Sequence, residues 1–274
     1  MFLNHQPCVP LNTFVESLWY SERDALPHTR ERSLPTGSAH MVVPLLQAHL
    51  IRYDGVDDTD ARWLRGPIVQ GPSDRFGVRG VEGPSAVIGV HFKPGGAAAF
   101  FGGELPHLRN RTELLEDLWG AAAHDLHEQL KAAGSPQRAL WLLQEHLMRR
   151  LQHAAPPDPL AAFAIEAFGR DPARARVLPV QHQTGCLPAQ FIRRFEETVG
   201  LTPKRYARVL RFGVLLPRLV RCGPRDWAEI AVDAGYFDQS HLIREFRQLA
   251  GMPPGAYVPV HADMPTHVAL QNKG

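Results

Sequence analysis

Residues 226–247 read DWAEIAVDAGYFDQSHLIREFR, and this stretch constrains the fold more than any other part of the chain. Asp226, with Glu229 three residues later, is a capping-box start for a helix. Gly235 stands where that helix must end, because a residue without a Cβ atom accepts the left-handed turn at little cost. Asp238 can then cap a second helix. The pattern predicts a helix-turn-helix unit.

The second helix of this unit has distinct inner and outer faces. Leu242 and Phe246 lie four residues apart, a spacing that places both on the inner face. In a helix-turn-helix the second helix enters the major groove of DNA, and its first turns meet the base edges. We therefore predict that the exposed residues of this helix contact DNA: Gln239, Ser240, His241, Arg244 and Arg247.

A similar pattern occurs about fifty residues upstream and indicates an internal repeat. Gly185 marks the turn, and Phe191 and Phe195 form the inner face of the following helix. A helix over about 203–220 joins the two units and would hold them at a fixed separation. Two recognition helices on one face of a duplex must lie roughly 34 Å apart to enter successive major grooves. The predicted DNA contacts of this region are Ala189, Gln190, Arg193, Arg194, Lys204 and Arg205.

The charge of the chain divides at a proline-rich segment. The whole chain carries a net charge of +2, which by itself argues against a nucleic-acid partner. Residues 156–159 read PPDP and cannot continue a helix. Residues 1–169 hold 15 Lys and Arg against 19 Asp and Glu, whereas residues 170–260 hold 14 against 8. The neutral total therefore combines an acidic front with a basic back, and a basic domain fits a phosphate-backbone partner.

The front half predicts short strands followed by helices. Gly-Pro pairs separate β-branched runs between residues 33 and 93, the rhythm of antiparallel strands with tight turns. In one such run Ile88, Val90 and Phe92 alternate with His91, which places the histidine on the opposite face. From Thr112, a potential helix cap, leucines recur at three- or four-residue spacing and predict a helical hairpin over about 112–153.

The predicted fold class is α+β. A β-rich module, cupin-like or a small barrel, carries the helical hairpin, and an all-α domain with two helix-turn-helix units and a linker helix follows. The predicted boundaries are 1–155 for an effector-binding or dimerisation domain, 156–159 for a proline-rich linker, 160–260 for a DNA-binding domain and 261–274 for a disordered tail.

The back half resembles the AraC/XylS family of bacterial transcription regulators. The resemblance covers roughly residues 160–258 and is most specific over Gly235-Tyr-Phe-Asp-Gln-Ser-His241, with Arg244, Phe246, Gly251, Pro253 and Tyr257 at fixed offsets. In the first unit Gln181 and Leu187 depart from the family's small residue and capping serine. The front half is similar to a poorly characterised module that precedes such domains, through GVHFKPGGA at 89–97 and LEDLWG at 115–120.

The resemblance implies a transcription regulator that binds double-stranded promoter DNA and contacts RNA polymerase, for example as an activator. Its front module would sense a small-molecule effector, form a homodimer, or both. The lack of a secretion signal, a membrane span and a disulfide pattern in the sequence predicts a cytoplasmic location. The aromatic residues that could line an effector pocket are Trp19, Trp63, Phe76 and Phe92. A leucine stripe at Leu140, Leu143, Leu147 and Leu151 would either form a dimer interface or pack on the chain's own strands.

An enzymatic alternative is a metal-dependent cupin-like enzyme fused to a DNA-binding domain. Such a site needs a His-x-His pair with a carboxylate and a further histidine, whereas His40 and His91 stand alone in the sequence. The three cysteines are far apart, and no segment has the length or apolar character of a membrane span or a secretion signal. We therefore predict no catalytic residue, cofactor, metal site or membrane partner.

Overall fold

A computed structural model describes residues 1–47, 49–221 and 227–270 of the chain. The strands are β1 (Phe2–His5), β2 (Val15–Arg23), β3 (Arg30–Ser33), β4 (His40–Pro44), β5 (Leu50–Tyr53), β6 (Arg62–Leu64), β7 (Ile68–Gln70), β8 (Gly77–Gly80), β9 (Ser85–Phe92), β10 (Thr112–Leu114) and β11 (His267–Leu270). The helices are α1 (Ala98–Phe101), α2 (Glu116–Trp119), α3 (Ala121–Lys131), α4 (Pro136–Leu151), α5 (Pro159–Arg170), α6 (Val177–Gln183), α7 (Pro188–Val199), α8 (Pro203–Arg221), α9 (Trp227–Asp233) and α10 (Gln239–Ala250). This β-rich front followed by a helical back confirms the α+β prediction.

Two antiparallel sheets form the front domain. The strand order is β1-β2-β9-β4-β7-β10 in the first sheet and β11-β3-β8-β5-β6 in the second. At one side the edge strands β6 and β10 meet, because the guanidinium of Arg62 donates to the Thr112 carbonyl and to Glu113. Each sheet therefore has an inner face toward the other sheet and an outer face.

The hydrophobic core of the front domain lies on the outer face of the first sheet. Ile88, Val90 and Phe92 of β9 are buried there in one cluster with residues of α3 and α4. His91 lies on the opposite, inner face and is exposed, as the alternation predicts. The apolar face of the first sheet is therefore covered by the helical hairpin and not by the second sheet.

The leucine stripe of α4 packs on the chain's own strands. Leu140, Leu143 and Leu147 are buried in the same cluster as β9, and Leu151 is partly buried against it. Of the two alternatives for this stripe, the structure supports internal packing, so these leucines are not available for a dimer interface. Ser135 caps the start of α4, and its side chain accepts a hydrogen bond from the Arg138 amide.

The prediction that a helix begins at Thr112 is wrong. Residues 112–114 form β10, which pairs with β7 at the edge of the first sheet. The first long helix begins only at Ala121. Gly120, the residue before it, has a φ of +59°, which is not a helical conformation. Pairing with an open sheet edge provides hydrogen bonds that a local helix pattern does not reveal.

The prediction of a disordered tail over 261–274 is also wrong for residues 267–270. These residues form β11, which pairs antiparallel with β3 and so returns the end of the chain to the front domain. The alternation of the segment accounts for this pairing, because Val268 and Leu270 share one face and are both buried.

The back domain contains two helix-turn-helix units of similar arrangement. Helices α6 and α7 form the first helix-turn-helix unit, α9 and α10 form the second, and α8 joins them. Gly185 and Gly235 both have positive φ in the turns, and Phe191 and Phe246 are fully buried in the two cores. The cap predicted at Asp226 lies outside the described residues. Among those described, no helix combines the length and apolar character that a membrane span requires.

The two domains are packed against each other. Leu34 of the front domain and Val268 of β11 are buried in the same hydrophobic cluster as Phe246. Across the interface, Arg205 of α8 pairs with Asp74 at 2.6 Å. Burial would raise the pKa of Asp74, but hydrogen bonding from Asn110 and the charge of Arg205 outweigh that effect and hold it below its usual value.

Candidate nucleic-acid interface

The second recognition helix, α10, presents a polar outer face. Gln239, Ser240, Arg244 and Arg247 are all exposed. Asp238 caps the start of the helix, and its carboxylate accepts a hydrogen bond from the His241 amide at 2.6 Å. The cap fixes the first turn, where base-reading residues of such a helix lie.

His241 lies at the boundary between the exposed outer face of α10 and the buried interior. Its side chain is 33% exposed, and its ring packs edge-on against the buried Tyr236. Its Nδ1 atom accepts a hydrogen bond from the Phe237 amide, and its Nε2 atom lies 3.8 Å from Glu245. The ring therefore supports the turn as well as reaching the surface.

Glu245 forms a buried charge network behind the recognition helix. Its carboxylate is 3.1 Å from Arg208 and 3.8 Å from Arg211, both on α8. Burial, and then the charge of Glu245, raises the pKa of the Tyr236 hydroxyl beside it. Two arginines of α8, Arg208 and Arg211, therefore fix α10 to the linker helix.

The first recognition helix, α7, has a poorer outer face. Ala189, Gln190 and Arg193 are exposed as predicted, and Arg193 approaches Glu197 at only 4.0 Å. Arg194 turns away from this face. Its guanidinium donates two hydrogen bonds, of 2.8 and 2.9 Å, to Asp158, which also caps α5.

The departures seen in the first unit have local explanations. Gln181 is buried, and its side-chain amide donates to the carbonyl of Cys186, so this polar group is not left without a partner. Leu187 precedes α7 without any side-chain cap and is 74% exposed. Pro188 occupies the first helical position, where its fixed φ suits the helix.

A basic groove of about 570 Å³ runs between the two units, at the start of α6 and along α8 and α10. Lys204 is exposed in it, whereas Arg205, next to it in sequence, is turned to Asp74 in the other domain. The charged residues that line the groove are Arg176, Lys204, Arg208, Arg211, His241, Arg244 and Glu245. Positive side chains predominate, which suits a polyanion.

Phe237 is a surface residue that the sequence did not single out for contact. It lies in the turn immediately before α10 and is 88% exposed, next to the capping residue Asp238. The preceding Tyr236 is buried. An aromatic residue this exposed at the tip of a recognition unit could have been identified only by knowing which side of the turn faces solvent.

The four aromatic residues suggested for an effector pocket are not brought together. Phe92 is buried in the core, and Trp63 is 54% exposed, with its ring against His49. Phe76 lies at the domain interface beside Gly251. Trp19 alone of the four lies on the inner face of the first sheet, with its ring 5.5 Å from that of His91. Among the described residues, no group of three or more His, Cys, Asp or Glu is arranged to hold a metal ion.

Comparisons with known proteins match both domains. A "Domain of unknown function (DUF6597)" family model matches residues 3–113, and a "Helix-turn-helix domain" model matches residues 182–258. A protein of Streptomyces lividans named as an AraC-like transcription regulator is 36% identical over 101 residues, and one of Streptomyces antibioticus is 34% identical. Each alignment covers 36% of this chain and 33% of the relative, so the chain matches about a third of the length of these relatives.

Solved structures of ToxT from Vibrio cholerae are similar over most of the chain. One covers 89% of this chain and 98% of its own, with a TM-score of 0.48 and 11% identity. A second, solved with an unsaturated fatty acid bound, has a TM-score of 0.46 and 10% identity.

Proposed function

We propose that this chain, which belongs to the AraC family of helix-turn-helix transcription regulators, binds a specific double-stranded operator through both of its recognition helices. The observation that carries the proposal is the outer face of α10, where Gln239, Ser240, Arg244 and Arg247 are exposed together on a capped helix. Amide, hydroxyl and guanidinium groups are those that hydrogen-bond to base edges and phosphates. Such a protein would act in the cytoplasm, on chromosomal DNA.

The two helix-turn-helix units would make different kinds of contact with DNA. The outer face of α10 carries more hydrogen-bonding groups than that of α7, so the second unit would supply most base readout and the first unit mostly backbone contacts. The reverse assignment requires Arg193 to reach a guanine. Lys204, exposed in the basic groove, would contact phosphate, whereas Arg194 and Arg205 would position helices through Asp158 and Asp74.

This division predicts unequal half-sites in the operator. Selection from random duplexes with the full chain would identify the operator, and base-by-base substitution would then measure each position. We expect substitutions in the half-site of α10 to cost about 1–3 kcal/mol each, and those in the half-site of α7 to cost less. Equal losses in both half-sites would contradict the division, and the absence of any selected sequence would contradict operator binding.

Arg244→Ala tests the nature of one contact on α10. If Arg244 binds phosphate, the variant should bind all duplexes more weakly by a similar factor, and the slope of log K against log salt should fall by about 1. The matched control is Arg170→Ala on α5, where an exposed arginine pairs with Glu166 four residues before it. A loss confined to one operator sequence would show instead that Arg244 reads a base.

We further propose that the front domain responds to a small-molecule effector and shifts the arrangement of the back domain. The packing of Leu34 and Val268 into the core of the second unit supports this, because a change in the front domain would reach α10 through direct contacts. Such an effector must bind the two arrangements with different affinity. The rival proposal is a ligand-independent homodimer, which sedimentation of the full chain with and without operator would detect.

Activation would require contact with RNA polymerase. Transcription in vitro from a promoter that carries the selected operator, with purified polymerase and the full chain, would test this partner. Increased transcript supports an activator, whereas decreased transcript supports a repressor.

A further inference from the structure

The first turns of the two recognition helices differ in chemistry. Phe191 and Phe195 of α7, and Leu242 and Phe246 of α10, are the buried inward pairs, so they align the two helices residue by residue. At the cap and the first two positions, α10 has Asp-Gln-Ser at 238–240, whereas α7 has Leu-Pro-Ala at 187–189. The first unit therefore lacks hydrogen-bonding side chains at the three positions where the second unit has them.

Two large apolar side chains at this end of α7 are exposed to solvent. Leu187 is 74% exposed and Ile192 is 42% exposed. In the described part of the chain, the hydrophobic cluster that buries Phe191 includes neither of them. Ala189, three residues before Ile192, is exposed on the same side of the helix. Leu187 also leaves α7 without a side-chain cap, so the fold gives no packing or capping reason for these apolar residues.

The position of these residues in the unit indicates what they contact. A single exposed leucine on a protein surface needs no explanation, but these residues occupy the first turns of a recognition helix. In a helix-turn-helix these turns meet the base edges in the major groove. The base pairs present hydrogen-bond donors and acceptors there, and the one apolar group among them is the C5 methyl of thymine. An apolar first turn therefore fits a site that presents thymine methyl groups.

The backbone of α7 is fixed from its inner side. Phe191 is fully buried, and Arg194 donates two hydrogen bonds to Asp158 at the start of α5. Glu196 pairs with Arg109 of the front domain at 3.5 Å. Van der Waals attraction weakens steeply when a gap opens between two groups, so a methyl group is recognised only by a side chain that is held in place. These contacts meet that condition.

We propose that the first recognition unit reads thymine in its half-site, through methyl contacts made by Leu187, Ala189 and Ile192. This inference rests on the proposed function and adds the class of base that α7 recognises. The exposed polar side chains of the same helix, Gln190 and Arg193, would supply the backbone contacts already proposed. A methyl contact contributes less than a bidentate hydrogen bond, which agrees with the smaller losses expected in this half-site.

The test replaces thymine by deoxyuridine in the operator selected by the full chain. This replacement removes the C5 methyl group and leaves every hydrogen-bonding group of the base pair in place. We expect at least one replacement in the half-site of α7 to weaken binding about fourfold, the equivalent of one methylene group returned to water. Thymines outside both half-sites are the control, and their replacement should leave affinity unchanged.

Leu187→Ala and Ile192→Ala connect this loss to the two side chains. Each variant should bind the unmodified operator about fourfold more weakly. In at least one of them the deoxyuridine replacement should cause no further loss, because the contact is already absent. Both residues are exposed, so Tm should stay close to that of the wild type. Val258→Ala is the matched control, because Val258 is 72% exposed beyond α10 and its variant should bind as the wild type does.

Several outcomes would overturn the proposal while operator binding itself stands. Deoxyuridine without effect in the half-site of α7 is the first. Equal losses at the control thymines are the second, because they would indicate a change in duplex shape rather than a lost contact. If both alanine variants bind the operator as tightly as the wild type, these side chains do not face DNA and another protein would be their partner. Failure to select any operator would contradict the proposed function, and the thymine contacts with it.

Discussion

A Gly235→Ala variant is expected to lose about 4 kcal/mol of stability in the second helix-turn-helix unit, and with it specific operator binding. Gly235 has a φ of +79°, a conformation that costs a residue with a Cβ atom about 1–2 kcal/mol. A Cβ atom at this position would also lie only 1.8 Å from the carbonyl oxygen of Ala173. That carbonyl belongs to the backbone between α5 and α6. The turn at Gly235 can therefore relieve the clash only by moving the second helix-turn-helix unit away from the first.

Gly185→Ala provides the matched control. Gly185 occupies the same turn of the first unit with a φ of +66°, but nothing lies within 4 Å of its would-be Cβ atom. This variant should lose only the conformational part, about 1–2 kcal/mol. Amide hydrogen exchange in α10 and in α7 measures the two units separately within the full chain. Similar losses in both variants would contradict the importance of the Ala173 contact.

Glu245→Gln is expected to destabilise the packing of α10 on α8 by about 3 kcal/mol, because it leaves Arg208 and Arg211 without their counter-charge. The side chain of Arg211 is only 11% exposed, whereas Arg208 is 28% exposed and can recover some hydration. Operator affinity should fall as well, because the Nε2 atom of His241 lies 3.8 Å from the same carboxylate. Urea unfolding monitored by hydrogen exchange in α10 measures the loss.

Glu197→Gln on α7 is the control for Glu245→Gln. Glu197 is exposed and lies 4.0 Å from Arg193, so its removal should change stability by less than about 0.5 kcal/mol. If both variants behave alike, the buried network does not fix the second recognition helix.

Features set by neighbouring residues could be predicted from the sequence. The turn at Gly235, the cap at Asp238 and the inward pair Leu242 and Phe246 follow from conformational preference and helical spacing over fewer than fifteen residues. The same holds for the alternation in β9, which separated His91 from the apolar core. In each case the cause and its effect lie within one element.

Features that depend on distant partners could not be predicted in this way. From the sequence alone, Arg194 and Arg205 resemble DNA-binding residues. In the fold, Arg194 pairs with Asp158 at the start of α5, and Arg205 pairs with Asp74 of the front domain. His40 and His91 are 51 positions apart, and only the pairing of β4 with β9 makes them neighbours. Spacing along the chain does not record which strands become adjacent, so the pairing of these two histidines was not foreseen.

The return of β11 to β3 makes the front domain discontinuous in sequence, with the DNA-binding domain inserted between its tenth and eleventh strands. During synthesis the second sheet therefore cannot be completed until residues 267–270 emerge from the ribosome, after both recognition units. A fragment that ends at residue 155 would lack His267 and leave the backbone of β3 open at the sheet edge, where it could pair with another chain. Association of such a fragment would therefore reflect the missing strand rather than the oligomeric state of the 274-residue chain.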